Sequence, residues 1–249
     1  MSALFGVDGA FFALLMAAAF VGFVISSTLG VGGAMLLIPL LAQQMPAAQA
    51  VALCAPVMLF NNALKAWVFR RHVDKRATLL VSALALPLAF VGAMFNARFD
   101  DRAILLGVAA LIVFSIVAER AFEKRVAVSP RSLVLWGGFS GFVSGVCGAA
   151  GPSTAIGLRG YGLEREAFVG TVAWYAILLQ LVKIPAYMGT GVLPSSRWPL
   201  ALALSANAAV GVALAPLILA RMPKRVFSYA LDALLAVCAL WLVVDVIRR

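Results

Sequence analysis

Charged residues are scarce in this chain. They make up 12% of its 249 residues, and apolar residues make up 64%, whereas soluble proteins average about a quarter charged and about half apolar. A soluble globule of this size could not bury so much apolar surface, and the same composition excludes disorder and collagen-like repeats. The apolar runs are long and continuous, unlike the short alternating segments of a transmembrane β-barrel. The composition therefore predicts an all-α polytopic membrane protein.

Histidine and cysteine are scarce as well. His72 is the one histidine, and Cys54, Cys147 and Cys238 lie within apolar runs without CxxC spacing. We therefore expect no metal site and no cofactor, and we interpret the cysteines as small buried side chains. A histidine-containing catalytic triad inside the membrane is not available, so an enzyme is not expected.

Acidic residues are half as frequent as basic ones, with 10 Asp+Glu against 20 Lys+Arg. The basic residues lie in short clusters between apolar runs, which is the pattern that orients helices in a bilayer. The charge therefore indicates a lipid bilayer as partner and not a nucleic acid. Asp232 and Asp100 precede or begin predicted helices, so we interpret them as helix caps, with proton coupling through Asp232 as the alternative.

Eight apolar runs follow one another along the chain, and a membrane-spanning helix needs about 20 residues. Six runs fit that length, whereas residues 9–42 and 132–158 are too long for one helix and too short for two crossings. Each long run contains a glycine-rich break, at residues 30–33 and 148–153. Exposed backbone at membrane depth must be satisfied by protein or by a water-filled cavity. Each long run is thus predicted to be a broken helix or a re-entrant hairpin at the centre of the molecule.

The two breaks lie 118 residues apart and so do other matching positions. Gly33 matches Gly151, and Lys65 matches Lys183. The pattern predicts two homologous repeats, residues 1–125 and 126–249, within one membrane domain. Each repeat would hold one glycine-broken or re-entrant helix followed by three transmembrane helices, as in transporters with interrupted segments at matching positions.

The distribution of Lys and Arg indicates how the repeats are oriented. If both broken segments are hairpins, 13 basic residues are cytoplasmic and 5 are outside; if they cross, the split is 11 to 7. The first split agrees better with the positive-inside rule and makes the repeats inverted. The loops at residues 70–76 and 221–225 are then predicted to be cytoplasmic, with Asp100 and Arg197 on the periplasmic side.

Each glycine-rich break precedes a short helix, whose free N–H groups and positive dipole end can bind a small anion. The alternative is that the glycines only allow close helix packing. Lys183 is predicted to help hold the anion, whereas snorkelling from a helix end is favoured for Lys65 because Arg70 follows closely. Polar residues at similar depth can each bind substrate or join helices, namely Asn61, Asn62, Thr171, Tyr175, Gln180 and Asn207. The candidate substrate-binding residues are Gly30, Gly32, Gly33, Gly148, Gly151, Ser153, Thr154, Lys183, Gln180 and Asn62.

The glycine motifs carry a resemblance to a known family. Gly22-Phe23, Gly30-Val31-Gly32-Gly33-Ala34 and Pro39-Leu40-Leu41 resemble the first-half signature of the TauE/SafE sulfite exporters. Residues 141–145 and 148–152 are similar to the second-half signature. Two departures are Ala34, where the family has a third glycine, and the reduction of the second motif to Gly-Ala-Ala-Gly.

The resemblance implies a bacterial inner-membrane carrier for sulfite, organosulfonates or related small organic anions. The leading hypothesis is a secondary transporter of a small sulfur-containing or organic anion, working by alternating access of two inverted halves. An anion channel of the same architecture and, less favoured, an intramembrane enzyme remain open. A coupling ion, proton or sodium, and a homo-oligomer also remain open.

Overall fold

The computed structural model describes residues 8–29, 33–121, 127–149, 151–163 and 165–221, together with helical residues at 236, 239–241, 243–244 and 246–247. Helices are the secondary structure throughout this part of the chain, and no strand occurs in it. The all-α class predicted from composition is therefore confirmed for the described residues.

Five helices come from the first half of the chain. They are α1 (Gly9–Leu29), α2 (Gly33–Leu41), α3 (Ala47–Val68), α4 (Lys75–Asn96) and α5 (Asp101–Ala121). From the second half come α6 (Pro130–Cys147), α7 (Gly151–Gly160), α8 (Arg165–Gly189), a 3₁₀ turn (Ser195–Arg197) and α9 (Trp198–Arg221). Asp232 and Cys238 lie outside the described residues.

Short polar residues begin several of these helices. Asp74 caps α4 by accepting a hydrogen bond from the Ala77 amide at 2.9 Å. Asp100 accepts from the Ala103 amide, also at 2.9 Å, at the start of α5. Such caps satisfy amides that have no partner within the helix. The predicted capping role of Asp100 is confirmed.

The chain reverses direction at each glycine-rich break. In a straight helix, residues 14 apart would be separated by about 21 Å, yet Thr154 Oγ1 lies 3.3 Å from Ser140 Oγ. In the first half, a Cβ atom on Gly33 would lie 3.3 Å from the Gly22 carbonyl oxygen, 11 residues earlier. Helices α2 and α7 therefore fold back along α1 and α6, and both interruptions predicted from the glycines are confirmed as hairpins.

Glycines set the packing of α6 against α4. A Cβ atom on Gly137 would overlap the Val81 carbonyl oxygen, and one on Gly141 would overlap that of Ala85. Gly145 repeats the contact one turn further on, against Ala89. The backbones thus approach as closely as they do in small-residue helix interfaces of membrane proteins. Because residue numbers on both helices rise together, α4 and α6 run in the same direction.

Hydrogen bonds between helix ends establish two ends of the bundle. At the first, named here the Arg70 end, the amide of Asp74 donates to Thr171 Oγ1 at 3.0 Å, so α4 and α8 begin there. At the other, named the Asp101 end, the amide of Ala47 donates to Asp101 Oδ1 at 2.8 Å. Helices α3 and α5 both begin at the Asp101 end.

Three helices in the described part of the chain are long and apolar enough to cross a bilayer. They are Ala47–Val68, Lys75–Asn96 and Glu166–Gly189. Large apolar side chains such as Trp67, Leu79 and Leu135 are exposed on the outer surface of the bundle. An aqueous surface would not favour this arrangement, but lipid would. The chain is accordingly a membrane protein.

Candidate functional site

A cavity lies where the two helix breaks meet. It has a volume of about 80 Å³ and is partly open to the surroundings. Its walls come from the end of α1, the start of α2, the middle of α3, both sides of the break between α6 and α7, and one face of α8. The lining residues are Ser26, Gly33, Ala34, Met35, Met58, Asn62, Ser144, Gly148, Ala149, Gly151, Thr154, Val172, Tyr175, Ala176, Leu179 and Gln180.

Four pairs of these lining residues are separated by the same 118 positions. They are Ser26 with Ser144, Gly33 with Gly151, Met58 with Ala176, and Asn62 with Gln180. Each half of the chain therefore supplies the cavity wall with side chains from matching positions.

Six of the predicted site residues line this cavity, namely Gly33, Gly148, Gly151, Thr154, Gln180 and Asn62. Ser153 is fully buried and is not part of the lining. Gly30 and Gly32 lie outside the described residues. The structure thus brings together residues that are far apart in sequence, such as Gly33 and Gln180, which are 147 positions apart.

Gly148 ends α6 in a conformation that other residues rarely adopt. Its φ is 78°, in the left-handed region, and its amide donates to the Ser144 carbonyl at 2.9 Å. This is a common way to end a helix, and it favours glycine because a Cβ atom is strained there. The turn directs the chain back toward the cavity through Ala149.

Lys183 lies directly behind the cavity wall. Its Nζ donates to the Oγ of Ser144 at 2.9 Å and to the carbonyl oxygen of the same residue at 3.3 Å. Ser144 belongs to the last turn of α6, where the helix dipole is negative and stabilises a cation. The ammonium group therefore contacts a lining residue and does not itself form the cavity surface.

Lys65 makes the same contacts in the first half. Its Nζ donates to Ser26 Oγ at 2.8 Å and to the Ser26 carbonyl at 3.3 Å, and the residue is 1% exposed. A snorkelling lysine would place its ammonium group at the membrane surface. The snorkelling interpretation of Lys65 is therefore wrong: the end of α1 supplies acceptors that keep this charge inside.

In the part of the chain that the structure describes, Lys65 and Lys183 are the only buried charged residues. Two helix C-terminal turns and two serine hydroxyls supply their hydrogen-bond acceptors. The cavity is therefore flanked by two buried basic side chains, and no buried carboxylate accompanies them among the described residues.

A chain of hydroxyl groups lies beside the cavity in the second half. Ser140 Oγ lies 2.7 Å from the Tyr175 hydroxyl, and Thr154 Oγ1 lies 3.3 Å from Ser140 Oγ. The matching positions of the first half are Gly22, Val57 and Leu36, none of which carries a hydroxyl. The side of the cavity formed by α6, α7 and α8 therefore carries hydroxyl groups that the matching positions of the first half lack.

Two amide side chains line the cavity, one from each half of the chain. Asn62 and Gln180 are both buried, and Gln180 Oε1 has no hydrogen-bond partner within the described residues. A buried polar atom without a partner is costly unless a ligand or water meets it. Rotation of the amide exchanges its oxygen and nitrogen, so Gln180 can also donate to an anion.

Other polar residues at this depth join helices. Asn61 donates to Ser26 Oγ at 3.2 Å, and Asn207 donates to the Met16 carbonyl on α1. Thr171 accepts from the Asp74 amide, as described above. For these three residues the interpretation as links between helices is confirmed.

Sequence reasoning did not place three residues at the site: Ser26, Ser144 and Lys65. The offset of 118 residues contained the signal for all three. Ser26 matches Ser144 and Lys65 matches Lys183, so a role for Lys183 implied the same role for Lys65. Tyr175 was among the polar residues for which the sequence left substrate binding and helix contact open, and the structure places it in the cavity lining.

The fold and site define a helical membrane protein with a small cavity that lies between two broken helices and is flanked by two buried lysines. The chain matches the family described as sulfite exporter TauE/SafE over residues 14–242 and belongs to that family. This confirms the resemblance found in the glycine motifs. No curated protein and no solved structure shows a significant match to the chain. Membership makes the protein a membrane transporter of the sulfite exporter class.

Proposed function

We propose that this protein is a secondary transporter of a small sulfur-containing or organic anion, of the sulfite or organosulfonate class, in a bacterial inner membrane. The observation that carries the proposal is a cavity between two helix breaks in which two lining serines, Ser26 and Ser144, each bind a buried lysine. Anions gain from such surroundings because helix N-termini and buried cations act strongly where water is excluded.

The proposed mechanism requires two repeats, residues 1–125 and 126–249. Support comes from contacts that occur twice. Lys65 binds Ser26 and Lys183 binds Ser144, and the partners are 39 positions apart in each case. Helix α4 of the first half packs on α6 of the second, and α9 of the second packs on α1 of the first. In each pairing, a helix of one half packs on a helix of the other half, as expected for two related halves.

The repeats are proposed to be inverted. Helix α2 leads to the start of α3 at the Asp101 end, so the hairpin of α1 and α2 enters from that end. Helix α6 runs parallel to α4, which begins at the Arg70 end. The hairpin of α6 and α7 then enters from the Arg70 end. Opposite entry of the two hairpins supports inverted topology, with the basic Arg70 end in the cytoplasm.

The substrate is proposed to lie between the starts of α2 and α7. Backbone amides at the starts of α2 and α7, near Gly33 and Gly151, would bind its oxygen atoms. Thr154 supplies a hydroxyl, Gln180 and Asn62 supply amides, and Gly148 holds the turn. Lys183 is proposed to attract the anion electrostatically, with Ser144 between its ammonium group and the cavity.

Transport is proposed to occur by alternating access, in which the two halves of the chain exchange their conformations. In inverted-repeat transporters, one helix bundle rocks against another around a fixed central site. Helices α4 and α6 come from different repeats but would move together in one bundle, because their direct backbone contact leaves little room for sliding. A proton or a sodium ion as coupling ion, and assembly into a homo-oligomer, are compatible with this scheme.

Transport by purified protein in proteoliposomes tests the proposal. Liposomes loaded with unlabelled sulfite should accumulate labelled sulfite transiently, and the rate should saturate with concentration. A channel would instead give flux without saturable counterflow. A panel of thiosulfate, organosulfonates and carboxylates would then define the substrate. Absence of counterflow with every anion of the panel would refute the transporter proposal.

A further inference from the structure

The cavity is flanked by two buried ammonium groups and not by one. Lys65 and Lys183 are each 1% exposed. Each donates to a serine that lines the cavity, Ser26 from one half of the chain and Ser144 from the other. The two contacts differ by only 0.1 Å in their Nζ–Oγ distances. The structure offers no reason to rank one lysine above the other.

Acidic side chains do not balance these two charges in the described part of the molecule. Its buried polar residues, apart from the two lysines, are serines, threonines, asparagines and a glutamine. Buried charges in proteins are normally paired, because an isolated ion in an apolar interior is unfavourable. The helix C-terminal turns compensate each ammonium group only partly, since a helix dipole contributes about half an elementary charge.

The bound ligand is therefore the group that completes the charge balance. A single monoanion in the cavity would neutralise only one of the two lysine charges. An ion with two negative charges would neutralise both lysines and also meet the amides that begin α2 and α7.

We infer that Lys65 is a second specificity-determining residue, equal in role to Lys183, and that the cavity selects anions with two negative charges over those with one. This inference rests on the proposed transport function. It replaces a site centred on Lys183 with one shared by both halves of the chain.

Pairs of competitors that differ in charge and little else test the inference. Sulfate and methanesulfonate are both tetrahedral, and ethane-1,2-disulfonate and ethanesulfonate share a two-carbon chain. Each would be titrated against counterflow of labelled sulfite. We expect each dianion to inhibit at concentrations roughly tenfold or more below its monoanion, because the second lysine acts in a low-dielectric site.

Variants then assign the preference to the lysines. Lys65→Met and Lys183→Met should each bring the inhibition ratio of the two members of a pair toward one, and Lys65→Arg should retain part of the preference because the charge remains. Lys75→Met is the matched control, since Lys75 is exposed at the start of α4, and it should leave the ratio unchanged.

The outcomes separate the two proposals. If sulfite counterflow occurs but dianions and monoanions inhibit equally, or if neither dianion inhibits, the inference is overturned and the transport function stands. The same holds if Lys183→Met abolishes the preference and a well-inserted Lys65→Met leaves it intact. Should a lysine variant fail to insert, the wild-type ratio still decides whether the cavity selects for charge. No counterflow at all would instead remove the transport function.

Discussion

The Nζ atom of Lys65 lies 2.8 Å from the hydroxyl oxygen of Ser26, deep inside the protein. Ser26 belongs to the last turn of α1, so the ammonium group lies at the negative end of an interrupted helix. An interrupted helix thus provides both a site for an anion, at the start of α2, and a place to hold a buried cation. Neither feature would exist if residues 9–42 formed one continuous helix.

Removal of either lysine charge should weaken substrate binding. We expect Lys65→Met and Lys183→Met to raise the apparent substrate constant by roughly tenfold to a hundredfold, since a charge several ångströms from an anion in a low-dielectric site contributes a few kcal/mol. Saturation curves at matched protein level measure this. A large effect at Lys183 together with none at Lys65 would contradict the equivalence of the two contacts.

Added side chains at the glycine breaks should stop transport. A Cβ atom on Gly33 would already lie 3.3 Å from Gly22 O, Met58 Sδ and Ser26 Cβ. Gly33→Val and Gly151→Val place further methyl groups at the cavity wall and should abolish transport without preventing insertion. Gly189→Ala is the control, because nothing lies within 4 Å of a Cβ atom there. Normal transport by both valine variants would reduce these glycines to packing residues.

Adjacent glycines on α6 should differ in their tolerance of alanine. A Cβ atom on Gly137 would overlap the Val81 backbone oxygen, whereas one on Gly138 would meet only leucine side chains, at 3.1 Å and beyond. Gly137→Ala should therefore lower the free energy of unfolding by about 1–3 kcal/mol, and Gly138→Ala by less than about 1 kcal/mol. Thermal unfolding in detergent compares the two. Equal losses would show that the α4–α6 contact is looser than described.

The two buried tyrosines should separate substrate binding from stability. Tyr175 lines the cavity and contacts Ser140, whereas the Tyr187 hydroxyl donates to the Gly145 carbonyl away from the cavity. Tyr175→Phe should raise the apparent substrate constant by about threefold to tenfold, as expected for one hydrogen bond. Tyr187→Phe should instead lower the unfolding temperature. The reverse assignment would place the substrate elsewhere.

Labelling of single cysteines should report inverted topology. His72 and Tyr161 lie in loops near the Arg70 end, and both should react from the cytoplasm when replaced by cysteine. Cysteines at Asp100 and Ser196 should react from the periplasm. The variants are made in a background without Cys54, Cys147 and Cys238. Reaction of positions 72 and 161 from opposite sides of the membrane would rule out the inverted arrangement.

Composition and spacing were sufficient to predict several features. Long apolar runs require helices in a bilayer, because backbone groups there must be satisfied within the segment. Glycine clusters in two overlong runs predicted both interruptions, and the offset of 118 residues paired Lys65 with Lys183. These features are local, or repeat along the chain, and can be read without knowing which helices touch.

Contacts between distant residues required the tertiary structure. The position of Lys65 relative to Arg70 favoured snorkelling, because the sequence shows that Lys65 is near a basic loop. It does not show which hydrogen-bond acceptors lie near Lys65 inside the protein. Those acceptors belong to Ser26, 39 residues earlier. Gly137 and Gly141 likewise appear as ordinary small residues until α4 packs on them. Tertiary packing decides such roles because a buried charge needs acceptors from another helix, and a close backbone contact needs a partner helix that fits it.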